Sequence, residues 1–464
     1  MMICMPTLLA ITLQTIRAGF RLRLFHLLLG LALLIGIALP LTIRGDGTAT
    51  GEIQLTLTYT LGLLNLLISA SALWVASTSL SREIEGYQMH LVQNSAATRT
   101  RIWLGKWLGV WALHAAVLVI AAAAAAAALH WRMQSWTYSA EEREKARNEV
   151  LTGRREYRPA PPDYPAFVTA QYERLKAAGQ LDPAHNPAYV KGELLRLIKA
   201  KSTEVPAGAV RPWRFTGVEP PATADGRIFL RFRHYIGGTS RSSQRLTEGV
   251  WAVRDPVDTE GRPRDLAVRM ATGSFHEIIL TPDLVSKDGL VDVVYINADA
   301  AGSSVMFQEA DGPVLLIPAT GFYANYTRGI LLILLQIAFL AALGVTVSGL
   351  FSSPVAMFAA AAYLVIGLLM EAAVDAPAKD EFGAYQYKDL SEHAMHLVAR
   401  TAQVLVVSVD DFDATGDLIR GRLISGEKLV QTTGLMLGLR IFPLALLGVW
   451  VFRRRELGLV VRQS

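Results

Sequence analysis

Apolar runs long enough to cross a lipid bilayer limit what this chain can fold into more than any other feature. A membrane-spanning helix takes about 20 predominantly apolar residues. Six stretches approach that length: about Leu22 to Ile43, Leu55 to Leu80, Trp107 to Leu129, Gly329 to Phe351, Pro354 to Val374 and Thr432 to Phe452. A secretory signal peptide is the alternative for the first, but it needs a shorter apolar core and a small-residue cleavage site, and neither is present. The first run is expected to be a retained span.

Apolar helices are not the whole chain. The 464 residues are 52% hydrophobic and 18% charged, with a mean hydropathy of +0.32. That is too apolar for an average soluble domain and too charged for lipid-embedded helices alone, so a substantial part must lie in water. The net charge of +5 is mild and its basic residues stand beside the spans. With no DNA-binding motif present, the charge reads as membrane topology, and no nucleic-acid partner is expected.

Lysine and arginine near short loops resist translocation and mark the cytosolic side. Arg17, Arg21 and Arg23 precede the first span, Arg82, Arg99, Arg101 and Lys106 follow the second, and Arg453, Arg454, Arg455 and Arg462 follow the sixth. Six spans put all three clusters on one side, whereas five or seven would not. Both termini are therefore expected in the cytosol, with the turn Ser352-Ser353-Pro354 inside and residues 132–326 and 375–431 outside. Cys4 is the only cysteine, so no intramolecular disulfide exists. At roughly 190 residues the exported insert is long enough to be held by core packing.

The insert changes character along its length. Residues 139–202 read as a helical stalk: Ala140 to Leu151, then a proline-rich break at Arg158 to Pro162, then Ala166 to Ala178 and Pro187 to Lys201, with Asn186 as N-cap. Residues 210–320 alternate, as in Arg227 to Tyr235, where Ile228, Leu230 and Phe232 oppose Arg227, Arg231 and Arg233. Seven further short strands recur between turn-rich pieces: Trp213 to Val218, Gly249 to Arg254, Leu266 to Met270, Ser274 to Leu280, Leu290 to Asn297, Ser304 to Gln308 and Val314 to Pro318. The expected fold is thus an α-helical polytopic membrane protein of six transmembrane helices with an inserted extracytoplasmic α+β domain, mostly β-sandwich. Trp213, Trp251 and Tyr295 are residues that either stack on a ligand or fill a core.

No catalytic signature is present: no G-x-x-x-x-G-K-[ST] loop, no H-E-x-x-H, no G-x-S-x-G and no paired cysteines. No catalytic residue and no bound cofactor are expected. His393 and His396 flank Met395 at helical spacing, yet a third metal ligand is lacking, and surface or interfacial histidines account for them. Inside the spans, Asn65, His114, Gln336 and Arg440 are costly to desolvate, which makes them candidates for a translocation path or dimer seam. Arg440 alternatively snorkels to the outer headgroups. Ala121 to Ala128 favours close helix packing.

The loop between the second and third runs carries the sharpest signal. Ser81-Arg82-Glu83-Ile84-Glu85-Gly86, then Arg99-Thr100-Arg101-Ile102-Trp103-Leu104-Gly105-Lys106-Trp107, resembles permease subunits of the type-2 ABC exporter family. Two further stretches match that pattern: Leu343-Gly344 through Ser352-Ser353-Pro354-Val355-Ala356, and Phe452-Arg453-Arg454-Arg455-Glu456-Leu457. The large insert departs from the compact family pattern. Residues 375–431, with Val404 to Val409 before Asp410-Asp411-Phe412-Asp413, resemble the family's amphipathic outer helices; a surface-lying helix pair is the alternative.

The resemblance implies six helices per subunit, a second identical or different permease subunit, and a separate ATPase subunit that binds ATP and Mg and grips the loop 81–106. The residues it assigns to that coupling are Glu83, Glu85, Gly86, Arg99, Arg101, Gly105 and Lys106. The arginines also serve topology, whereas the acidic pair has no topological reason to be there. The implied activity is ATP-driven export from a bacterial cytoplasmic membrane, with the insert handling substrate or docking a protein or sugar. Two rivals share these features: a complex relaying ATP hydrolysis to envelope partners without transport, and a polytopic anchor or receptor displaying a binding sandwich.

Overall fold

The computed structural model describes residues 5–86, 97–160, 162–181, 186–221, 226–236, 245–254, 264–374, 391, 394, 397 and 414–455. His393, Met395, His396, the run 404–413 and Glu456-Leu457 lie outside them. The chain divides into two compact units, one of Met1–Gly153, Gly321–Asp375 and Leu397–Ser464, the other of Arg154–Thr320 and Ala376–His396.

The first unit is helical. Its elements are α1 Met5–Arg21, α2 Arg23–Thr42, α3 Ala49–Ser79, α4 Ser81–Glu85, α5 Arg99–Gln134 and α6 Ala140–Glu149. After the second unit come α9 Phe322–Leu350, α10 Ser353–Val374, α11 Ala414–Ile419, α12 Gly426–Leu435 and α13 Phe442–Arg454. Among the described residues, five helical stretches are long and apolar enough to cross a bilayer: Arg23–Thr42, Ala49–Glu85, Arg99–Gln134, Phe322–Leu350 and Gly426–Arg454. The apolar helix α10 stands beside them in sequence order.

Short polar side chains start these helices by accepting otherwise orphaned backbone N–H groups. Thr48 caps α3 through Gly51 at 3.0 Å, Ser139 caps α6 through Glu142 at 3.2 Å, and Ser425 caps α12 through Lys428 at 3.0 Å. Each cap is worth about 1 kcal/mol. The last of these stretches does not run as one α-helix: residues Met436–Ile441 form a π turn. Pro443, in the first turn of α13, supplies the reason, because it has no N–H to give the carbonyl four residues back.

The α9 helix is the axis of this unit, with most of its length buried. Its backbone is held from outside, since the Trp107 indole donates to the Ala338 carbonyl at 2.8 Å and the Trp111 indole to Leu334 at 3.0 Å. Near the other end, the Tyr326 hydroxyl donates to Ala122 on α5 at 2.9 Å. The alanine-rich part of α5 admits close neighbours: a Cβ on Gly36 of α2 would lie 2.7 Å from the Ala121 carbonyl. That agrees with the packing role expected of the polyalanine run. Residues 140–149, expected in the stalk of the insert, are α6 of this unit; Ala146 and Val150 are buried in the same core as Phe322 and Tyr326.

The second unit holds β1 Thr152–Tyr157, which begins in the first, the helices α7 Tyr164–Ala177 and α8 Pro187–Thr203, and strands β2 Glu204–Val205, β3 Val210–Phe215, β4 Ile228–Arg233, β5 Tyr235–Ile236, β6 Leu246–Arg254, β7 Arg264–Ala271, β8 Phe275–Leu280, β9 Val291–Asn297, β10 Val305–Met306 and β11 Val314–Gly321. They form two four-stranded sheets, ordered β1-β11-β4-β8 and β3-β9-β6-β7, and a three-stranded sheet β2-β10-β5. Period-two alternation places Ile228, Leu230 and Phe232 of β4 and Val291, Val293 and Tyr295 of β9 in one core. Trp213, Trp251 and Tyr295 belong to that core, packed around Phe307 at ring distances of 5.2, 5.7 and 4.9 Å. They fill space and offer no surface platform for a ligand.

Candidate functional site

The residues singled out between the second and third runs meet at one end of the helical unit. There α3 passes into α4, α5 begins, α9 turns into α10, and α13 ends. The Lys106 ammonium of α5 pairs with the Glu83 carboxylate of α4. Lys106 is buried and Glu83 only partly so, and the ammonium depends on the carboxylate for the solvation it has lost.

Glu85 faces the other way. Its carboxylate accepts the Ser353 backbone N–H at 2.8 Å and the Ser353 hydroxyl at 3.0 Å, and so caps α10 from a different helix. Ser348 of α9 returns the favour, accepting the backbone N–H groups of Leu80 and Ser81 at 2.9 Å each. Ser81 and Ser353 hydroxyls lie 2.9 Å apart, and Ser348 donates to Ser81 at 3.2 Å. A carboxylate only accepts, so Ser353 spends its one proton on Glu85, and the Ser81 proton is left to the bond with Ser353 at 2.9 Å in competition with the Ser77 carbonyl at 3.4 Å. Ser348 donates to Ser81, Ser81 to Ser353, and Ser353 to Glu85.

Arg99 begins α5 and reaches the end of α13. Its guanidinium donates to the carbonyls of Phe452 at 2.8 Å, Arg453, and Arg455 at 3.1 Å, where the last turn of a helix has acceptors without partners. Arg455 in turn donates to the Gly349 carbonyl of α9 at 2.9 Å. Arg101 donates to the Thr7 hydroxyl of α1 at 3.3 Å. Arg82 and Gly86 are exposed.

Gly105 serves packing. With Gly109 it makes a flat strip on α5 that receives α1, and a Cβ at Gly105 would lie 2.6 Å from Ile11, one at Gly109 2.5 Å from Thr15. The spacing of four residues is the small-xxx-small pattern of close helix pairs. Trp103, one turn before Trp107, is fully buried and packs against Gly448 of α13.

Of the four polar residues expected in the apolar runs, Asn65 and His114 are bonded to separate neighbours, and the buried side-chain oxygen of Gln336 has no hydrogen-bond partner among the described residues. Asn65 accepts from Ser69 on its own helix at 3.1 Å. His114 lies 2.8 Å from the Val110 carbonyl through Nδ1 and 3.1 Å from Ser71 through Nε2, which assigns the proton to Nδ1 and makes Ser71 the donor. Gln336 is half-buried, and Arg440 sits within the π turn. Ser348, Ser81 and Ser353, the centre of the site, escaped the sequence reading as functional residues. The signal was the hydroxyl-rich run Ser77-Thr78-Ser79-Leu80-Ser81 facing a second serine pair at Ser352-Ser353.

Among the described residues, no group of three or more His, Cys, Asp or Glu side chains could hold a metal ion. No protein family, curated protein or solved structure matches this chain.

Proposed function

We propose that this chain is the membrane-spanning permease subunit of an ABC exporter, coupled to a separate ATPase that binds ATP and Mg. One observation carries the reading: α4 and the residue before it are bonded to the ends of α9 and α10, and Arg99 at the start of α5 is bonded to the end of α13. A segment so tied passes a push from a partner into several membrane helices at once. Glu83 and Glu85 act as braces between helices, and the exposed residues of the described segment, Arg82, Glu85 and Gly86, form the surface it offers the ATPase.

In this reading α10 is the fifth of six spans, both termini are cytosolic, and a second permease subunit completes the unit in a bacterial cytoplasmic membrane. The insert lies outside as a β-sandwich on helical supports, handling substrate or docking a protein or sugar. Purification of the full-length chain from its native membrane should bring down a cytosolic ATPase, and Arg82→Glu should weaken that association several-fold. A preparation in which no ATP-hydrolysing protein accompanies the wild type sinks the proposal. ATP-dependent flux into vesicles that survives deletion of residues 154–320 would favour export over a relay to envelope partners.

A further inference from the structure

The passage from α3 to α4 is built from hydroxyls. Ser77 and Thr78 both donate to the Trp74 carbonyl, at 3.0 and 3.1 Å, and Ser79 donates to Ala76 at 2.8 Å. Such back-bonding loosens a helix by competing for the carbonyls of its own ladder. At the next two residues the backbone N–H groups of Leu80 and Ser81 go to Ser348 of α9. A side chain inserted into the ladder is a recognised cause of a helix break, and here it comes from another helix.

We infer that Ser348 is a positioning residue, and that the oriented chain Ser348–Ser81–Ser353–Glu85 is the joint through which α4 moves the α9–α10 turn. The inference rests on the coupling role proposed above and deepens it. Ser81 and Ser348 are fully buried and Ser353 nearly so, so water does not replace a link among these three without the elements parting, while Glu85 stands at the exposed end of the chain. The joint also has a stop at each end: two backbone donors on one side, and on the other a carboxylate that is itself the cap of α10. Displacing α4 therefore pulls on α10 through Glu85 and on α9 through Ser348 together.

The test has two arms, both in the full-length chain. Residue-resolved hydrogen exchange should speed up at the amides of Leu80 and Ser81 by about tenfold in Ser348→Ala, the size expected for losing a buried acceptor. Ser348→Thr, which keeps the hydroxyl, should restore protection. Unchanged exchange at those two amides overturns the joint whatever the protein does. In the second arm, Ser81→Cys with Ser353→Cys, on a Cys4→Ser background, should form a disulfide on oxidation. With the ATPase companion bound, the bridged form, in which the link is covalent, should keep its ATP-driven transport output, while the reduced form, whose thiols do not replace the serine hydrogen bonds, should fall about tenfold. Full output from the reduced form overturns the inference, as does loss of output on bridging. Absence of any ATPase companion counts against the proposed function and leaves the exchange result to decide the joint.

Discussion

Arg99 at the start of α5 holds the carbonyl of Phe452, 2.8 Å away in the last turn of α13, and its guanidinium carbon lies 5.8 Å from the Phe452 ring centroid. One side chain thus ties the third apolar stretch to the end of α13, the last helix among the described residues. Replacing it with alanine leaves helix-terminal carbonyls unpartnered and should cost about 2 kcal/mol, read as a shift in the unfolding midpoint. Lysine should recover only part, because its ammonium gives up the planar guanidinium's contact with the Phe452 ring.

The Lys106–Glu83 pair should behave as a buried ion pair. Glu83→Gln alone strands the buried Lys106 ammonium and is expected to destabilise the helical unit by about 3 kcal/mol. The double change Lys106→Met with Glu83→Gln removes both charges and should recover most of that loss. A double mutant no more stable than the single one would show that the pair is not what holds Lys106 in place.

The α1–α5 contact predicts a size compensation. Gly105→Ala drives a methyl into Ile11 and should cost about 1–3 kcal/mol. Ile11→Ala on that background should return most of the stability, whereas Ile11→Ala on the wild type should be destabilising. Thermal unfolding of the four proteins completes the cycle.

The second unit should weaken in acid. His234 is buried, 2.7 Å from the Thr247 hydroxyl, with the His276 ring 5.7 Å away and Phe232 and Phe307 also packed against it. Burial first, and the charge of His276 second, hold its pKa at about 4, below the ordinary 6.5. Because the folded value is the lower one, the unfolded chain takes up the proton first. Stability is therefore complete above pH 6.5 and falls as pH drops toward 4, by up to about 1.4 kcal/mol per unit. Trp251 fluorescence during unfolding at pH 7 and pH 5, compared with His234→Gln, checks this: the variant should lose that part of the pH dependence.

Long apolar runs and alternating strands were legible because each follows from a period in the sequence. The span from Arg23–Thr42 falls within a residue of its expected bounds, and β4 lies inside the alternating stretch that announced it. What escaped was set by tertiary partners. Helix α1 reads as a basic flank until Gly105 and Gly109 are seen to receive it. The short strand β1, TGRREY, has no apolar alternation, since Arg154 occupies a buried position and bonds Glu277 at 3.0 Å. The acids Glu83 and Glu85 were legible as unusual, but which groups they bind was not, because Ser353 and Lys106 lie far from them or on another helix.

The two indoles that grip α9 hold carbonyl oxygens, and every amino acid carries one. Residues along that stretch are free to drift in chemistry, yet a single inserted residue between Leu334 and Ala338 would rotate and displace one acceptor out of reach of its tryptophan. The helix is thereby indifferent to spelling and strict about counting.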